Sequence, residues 1–379
     1  MYLPRKMFPA LASNPYVYLN SGGSGPPSYD TIRVMREADD LCSGPAYLEG
    51  TDFYARQGEA YARAREAAAR LVNTDPENLA LTQNTTHGMN LGAFALNWRE
   101  GDEIVSSHSE HPGSLVPLHA LGERYGVRLK LIAPPVTPEK VEETMTRKTR
   151  LIALSHVDWT TGEILPLEEI CTLARDRGAL TLVDGAQSVG NVPVDIPRTG
   201  VDMYALTGHK WVLGPEGMGA FYVRPSCEAW STSLGYASLS NPEGFRAEGG
   251  YREYLHKGAR RFEASTMSPA LAAGFAAAAE AVYVRGAEGL AQIRHRADLL
   301  ASLLGELPRV TLRSPRPAHS GLVSFEIAGV AAKEAAEKLL AKKFVVRFIP
   351  EPYSYVRAST HLFNTEEELE ALVDAVSKL

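Results

Sequence analysis

Between residues 79 and 224 short apolar runs alternate with amphipathic segments, and this rhythm constrains the fold more than any other feature. The runs fall at 79–82, 103–107, 127–132, 151–156, 180–184, 202–206 and 219–223. Helical periodicity lies between several of them, as at 166–177, where the apolar side chains collect on one side. Continuous apolar strands separated by helices predict an α/β unit with a mostly parallel, seven-stranded sheet covered on both faces. Ligands of such sheets bind beyond the carboxyl ends of the strands. The residues that follow each run are therefore the candidate site.

After residue 224 the composition changes. The region 225–260 is rich in Gly, Ser, Glu and Tyr and reads as a long excursion. Helical patterns return at 268–285 and 289–304; the Ala-rich part, 269–283, is too short to span a membrane and contains Glu280. The tail then reads strand (322–327), helix (331–343), strand (344–349), strand (355–359) and helix (366–379), with Thr365 and Glu368 as a capping box. The expected organisation is an N-terminal arm at 1–20 packing with the tail, a large unit at 21–265 and a small α+β unit at 266–379.

Net charge is −6 over 379 residues, which gives no reason to expect nucleic acid or an anionic membrane as partner. Cys42, Cys171 and Cys227 lack metal-ligand spacing and cannot all pair, so no metal is expected and a reducing cytoplasm fits. No apolar stretch of signal-peptide length opens the chain, and no uncharged run is long enough to span a bilayer.

Chemistry enters at the strand ends. The run 180–184 closes on Asp184, and 26 residues later the next run leads through Thr207-Gly-His-Lys210. A carboxylate and an amine at adjacent strand ends are what pyridoxal phosphate requires. The amine forms a Schiff base with the aldehyde, and the carboxylate pairs with the protonated pyridine nitrogen and keeps the ring an electron sink. Asn84-Thr85-Thr86-His87 follows the first run and opens a helix, offering N–H groups and a hydroxyl to a phosphate. Thr207 and His209 are further phosphate donors. Gln187 is placed to reach the cofactor's phenolic oxygen, and His111 supplies a ring to stack on its pyridine face. Arg347 and Arg357, on consecutive strands of the tail, suit the carboxylate of an amino acid, which guanidinium binds through two parallel hydrogen bonds.

The segments Asp184-Gly-Ala-Gln187 and Thr207-Gly-His-Lys210 resemble the class V aminotransferase group of fold-type I pyridoxal phosphate enzymes, which includes cysteine desulfurases and kynureninase. The resemblance covers most of the chain. Asn84-Thr-Thr86 resembles the family's phosphate loop, and Arg261-Phe-Glu-Ala-Ser-Thr266 its "RFE…T" segment. It implies that Thr266 reaches the phosphate of a neighbouring subunit, hence a homodimer with composite sites. Glu110-His-Pro-Gly113, Ser155-His156 with Trp159-x-Thr161-Gly162, Gly208-His-Lys-Trp211 with Gly214-Pro215, and Ser320-Gly-Leu-Val-Ser-Phe325 are similar to the cysteine/cystine C–S lyases of this family, which implies that Arg347 and Arg357 both hold the substrate carboxylate. Two departures matter. The turn before Arg357 carries no cysteine, where desulfurases keep their nucleophile, and Trp159 stands where they have an Asn near the phenolic oxygen. The resemblance therefore implies β-elimination from cystine, cysteine or a related S-substituted cysteine. An aminotransferase, an epimerase and a sulfoxide C–S lyase of the ergothioneine type are the alternatives. A non-catalytic nucleotide-binding module is disfavoured, because no Gly-x-Gly-x-x-Gly follows the first strand. Tyr47, Tyr54, Trp159, Tyr251 and Tyr353 are the expected substrate-selecting aromatics.

Overall fold

In the computed structural model, which describes residues 3–44, 51–246 and 249–379, the strands are β1 (Val17–Tyr18), β2 (Leu79–Thr82), β3 (Glu103–Ser107), β4 (Arg128–Ile132), β5 (Thr149–Ser155), β6 (Leu180–Asp184), β7 (Met203–Thr207), β8 (Gly219–Val223), β9 (Val310–Leu312), β10 (Leu322–Ile327), β11 (Phe344–Val345), β12 (Arg347–Ile349) and β13 (Tyr355–Ser359). β2 to β8 form a seven-stranded sheet in the order β2-β8-β7-β6-β5-β3-β4. The pairs from β7 through β4 are parallel, and β8 runs antiparallel to β2 and β7. The mostly parallel sheet expected from the apolar runs is present. Its strands β2, β3, β7 and β8 are buried at every position. Both faces are covered, so no polar–apolar alternation develops along them.

The tail builds an antiparallel sheet, β12-β13-β10-β9, and β11 pairs in parallel with β1. The run 344–349, read in the sequence as one strand, is therefore two. The chain changes partner at Val346, and two strands that pair on different sheets share one uninterrupted apolar pattern. The two helices expected at 268–285 and 289–304 are both present: the long helical segment Pro269–Gly305 is broken in two at Gly286, whose backbone is non-helical (φ 53°). That backbone conformation is open to glycine at little cost. Phe275, Ala279 and Val282, before the kink, pack into the core of the large sheet. Ala297, Leu300 and Leu304, after it, pack with Leu19, Phe325 and Leu369. Helices Tyr29–Ser43 and Thr51–Leu71, unassigned from the sequence, lie against this long helix. The capping box of Thr365 and Glu368 opens the last helix, Glu366–Ser377, as expected. Among the described residues no helix is long and apolar enough to cross a membrane.

Candidate active site

Beyond the carboxyl ends of β2, β3, β5, β6 and β7 lies a cavity of about 290 Å³. Lys210, Asp184, Gln187, Thr86, His111, Trp159, Thr207, His209, Arg347 and Arg357 all line it. Eight of them follow the carboxyl ends of strands that share one edge of the large sheet, and Arg347 and Arg357 are brought in by β12 and β13 of the tail sheet. His87 and Thr266 do not line it. The His87 imidazole turns back along its own helix, where Nδ1 accepts from the Gln83 N–H at 3.3 Å. Thr266 is exposed, in the segment before the long helix.

Asp184 closes β6 and is buried. Its Oδ2 accepts from the Ser114 hydroxyl at 2.6 Å and its Oδ1 from the Ala186 N–H at 2.9 Å. These donors fix the carboxylate's orientation. Lys210 lies three residues beyond β7. Burial pushes its amine down to about 8, opposed by Asp184 and assisted by Arg357 and Arg347. A lysine so shifted is partly uncharged near neutral pH, as a nucleophile or base must be.

The helix Thr85–Ala93 points its N-terminus at the cavity, and Asn84 caps it by accepting from the His87 N–H at 2.9 Å. Thr85 Oγ1 is buried there without a hydrogen-bond partner among the described residues. A helix N-terminus with an unpartnered hydroxyl is a ready anion site. The second helix, Pro112–Tyr125, starts beside it at Gly113, where any Cβ would stand 2.3 Å from Thr86 Oγ1. A larger residue there would have to displace the Thr86 side chain. On this side Thr207 Oγ1 and His209 Nδ1 share a hydrogen bond of 2.7 Å.

His111 caps the second helix, its Nδ1 accepting from the Gly113 N–H at 3.0 Å. Burial and then Lys210 push the imidazole down to about 4, so it is neutral at physiological pH. Its ring meets Trp159 edge to face at 5.0 Å, and Trp159 is pinned by donating from Nε1 to the Ser109 carbonyl at 2.7 Å. Gln187 is held from both ends, donating to the Gly22 carbonyl at 2.9 Å and accepting from Trp211 Nε1 at 2.8 Å. One N–H of its amide is left for a ligand.

Arg347 and Arg357 face each other directly across β12 and β13. Like charges at opposed positions destabilise a sheet unless an anion joins them. Arg357 is only 1% exposed. It donates to the Trp159 carbonyl at 2.6 Å, its Nε has no partner, and no carboxylate among the described residues pairs with it. Burial, then Arg347, pushes it down to about 9.

Glu110 and Ser155 entered the sequence reading only within motifs, without a role, and it left unnamed the site residues Ser114 and Gly22. The Gly22-Gly23 pair after an apolar run was the available signal for the last of these. A Cβ at Gly22 would stand 2.9 Å from Leu322 Cδ2 and from Ser359 Oγ. Of the expected substrate-selecting aromatics, Trp159 lines the cavity. Tyr54 and Tyr251 are exposed, Tyr353 is half-buried near the arginines, and Tyr47 lies outside the described residues. Amine, carboxylate, neutral ring, helix N-terminus and unpaired hydroxyl are the donor set that pyridoxal phosphate needs.

The model of the family "Aminotransferase class-V" matches residues 17–372. A probable cysteine desulfurase of Xylella fastidiosa (strain 9a5c) is 33% identical over 85% of this chain and 80% of its own length. The isopenicillin N epimerase of Streptomyces clavuligerus is 32% identical over 96% of this chain and 94% of its own. A solved complex of a cystine C–S lyase with its reaction product, cysteine persulfide, superposes with a TM-score of 0.90 at 30% identity, covering 98% of this chain and 99% of that one.

Proposed function

The chain belongs to the class V aminotransferase family of pyridoxal phosphate enzymes, and from that premise we propose that it is a C–S lyase that eliminates the β-sulfur substituent of cystine, cysteine or a related S-substituted cysteine. The observation that carries this reading is a cavity equipped for an amino acid yet free of thiols. None of Cys42, Cys171 and Cys227 lines it, and burial pushes Cys171 and Cys227 up to about 12 and about 11. The turn 350–354 between the two arginine strands contains no cysteine. Persulfide transfer to the protein, the step that distinguishes a desulfurase, has no acceptor at the site.

Asp184 and Lys210 would hold the cofactor's ring nitrogen and aldehyde carbon. The N-terminus of helix Thr85–Ala93, with Thr86, Thr207 and His209, would hold its phosphate, His111 would cover its ring, and Gln187 would meet its phenolic oxygen. When bound, the cofactor supplies a sink for the electron pair left as the substrate's Cα–H bond breaks. Arg357 and Arg347 take the substrate carboxylate between them and thereby aim Cα–H at Lys210. The Lys210 Nζ, partly uncharged because burial lowers it to about 8, accepts that proton. Departure of the sulfur from Cβ leaves an enamine, which water converts to pyruvate and ammonia. Trp159 lines the cavity beside Arg357, which its carbonyl helps to position.

The structural match to the cystine C–S lyase supports this choice. The relative named as an epimerase favours a second reading, because the same base and the same arginines serve proton removal followed by return to the opposite face. The exposed Thr266, away from its own cavity, suits a homodimer in which each copy completes its neighbour's phosphate site. Release of pyruvate and a persulfide or thiol from cystine and a panel of S-substituted cysteines tests the proposal. Solvent deuterium entering Cα with no sulfur loss replaces it with epimerisation, and a cofactor left in the amine form, restored by a keto acid, replaces it with amino transfer.

A further inference from the structure

Glu110 precedes His111 and has no part in the chemistry above. It is 6% exposed. Oε1 accepts from the Ser155 N–H at 2.8 Å, and the Ser155 hydroxyl is bonded to Oε2. Ser155 lines the cavity and sits beside Asp184 across β5 and β6. The Glu110 carboxyl therefore touches the cavity only through one hydroxyl.

We propose that Glu110 is a positioning residue that acts through Ser155, deciding whether the Ser155 hydroxyl gives a hydrogen bond to the cavity or can only accept one. A hydroxyl has a single proton. With Glu110 protonated, its O–H donates to Ser155 Oγ, and the proton of Ser155 is free to point into the cavity. With Glu110 ionised, the Ser155 proton is drawn to Oε2, and only lone pairs face the ligand. One buried proton thus reverses the polarity of a contact next to the Asp184 carboxylate.

The surroundings favour the protonated form. From β6 Glu110 faces Asp184, from the loop after β5 it faces Asp158, and from the turn 350–354 Tyr353, which is neutral. On its own segment His111 is neutral too. The nearby cations Lys210, Arg347 and Arg357 act on the neighbouring His111, and no ion pair joins Glu110 among the described residues. A buried carboxyl between two acids and no paired cation takes up a proton in preference to a charge. Burial pushes Glu110 up to about 8. Ser155 is accordingly a donor below that pH and loses the role as pH rises through it.

The cofactor reading is used here only for what the hydroxyl meets, and the test separates the two. In apoprotein at neutral pH, infrared difference spectroscopy of wild type against Glu110→Gln should show one buried protonated-carboxyl stretch. The stretch should disappear as pH rises through about 8 and shift in Ser155→Ala, which keeps Glu110 and serves if Glu110→Gln does not fold. In holoprotein, the visible band of the cofactor should show a pH step in the same range that both variants abolish. Absence of the carboxyl stretch at neutral pH, or a visible step that persists unchanged in Ser155→Ala, overturns the proposal. Failure to take up pyridoxal phosphate overturns the cofactor reading instead and leaves the infrared result to decide Glu110.

Discussion

The two ends of the cavity are built on opposite plans. At Asp184 the protein has already satisfied the charge, with one oxygen bonded by Ser114 and the other by the Ala186 N–H. At Arg357 it has left a guanidinium 1% exposed with an unpartnered Nε, facing a second arginine across the strand pair. A group that must stay fixed through every turnover can be held by the fold. A group that must attract a new anion at each turnover has to stay unpaired, and the folded protein carries that cost between visits. Resident and visiting ligands are distinguishable, in this molecule, by how completely the protein hydrogen-bonds the residues that receive them.

The sharpest break of this contrast lies between the ends, at the amine both serve. Lys210→Ala is expected to lower steady-state pyruvate release roughly ten-thousand-fold, the upper range for losing a positioned base. Substrate capture by the arginines should survive. Next comes Arg357→Met, which should act in two directions. Removing the buried charge should cost about 3 kcal/mol in kcat/KM, roughly a hundredfold. The same change should raise unfolding stability by about 1 kcal/mol or more, since no protein carboxylate loses a partner. A denaturant midpoint that falls in Arg357→Met would show that the arginine end is not held at a cost to the fold.

At the satisfied end the expected effect is smaller. Ser114→Ala removes one hydrogen bond to a charge, worth about 1.5 kcal/mol, and should weaken cofactor retention about tenfold while leaving substrate KM in place. A competitive-binding measurement on apoprotein separates the two. The smallest effect is a displacement in pH. The base form of Lys210 exists above its pKa, so the ascending limb of kcat should rise through about 8. Arg347 and Arg357 both lower that value, so Arg347→Met should move the limb to higher pH. A limb that moved to lower pH would mean that the arginines do not act on Lys210 through their charge.

How much of this was legible beforehand depended on the kind of residue. The strand ends were legible because covered parallel strands read as unbroken apolar runs, and the first polar group beyond each run is forced to the ligand edge. Asp184, Lys210, Thr86 and His111 were found in that way. Ser114 and Ser155 were not, since a serine carries no signal of what it will bond to. Glu110 sat in plain view beside His111, but its burial depends on packing that no local pattern records. The split of 344–349 into β11 and β12 was hidden for a related reason. Strand propensity is a property of the segment, whereas the partner a strand chooses is a property of the whole sheet.

Taken alone, the sequence determined the α/β architecture, the pairing of an acid and an amine on neighbouring strand ends, and through them the cofactor chemistry, because periodicity and strand termini are local and survive without coordinates. Only the tertiary structure decided that Arg347 and Arg357 stand face to face, that among the described residues no acid pairs with Arg357, and that the Glu110 carboxyl is buried behind Ser155. Those are facts about distance and exclusion of solvent between segments remote in the chain, and charge acquires its chemical meaning from them.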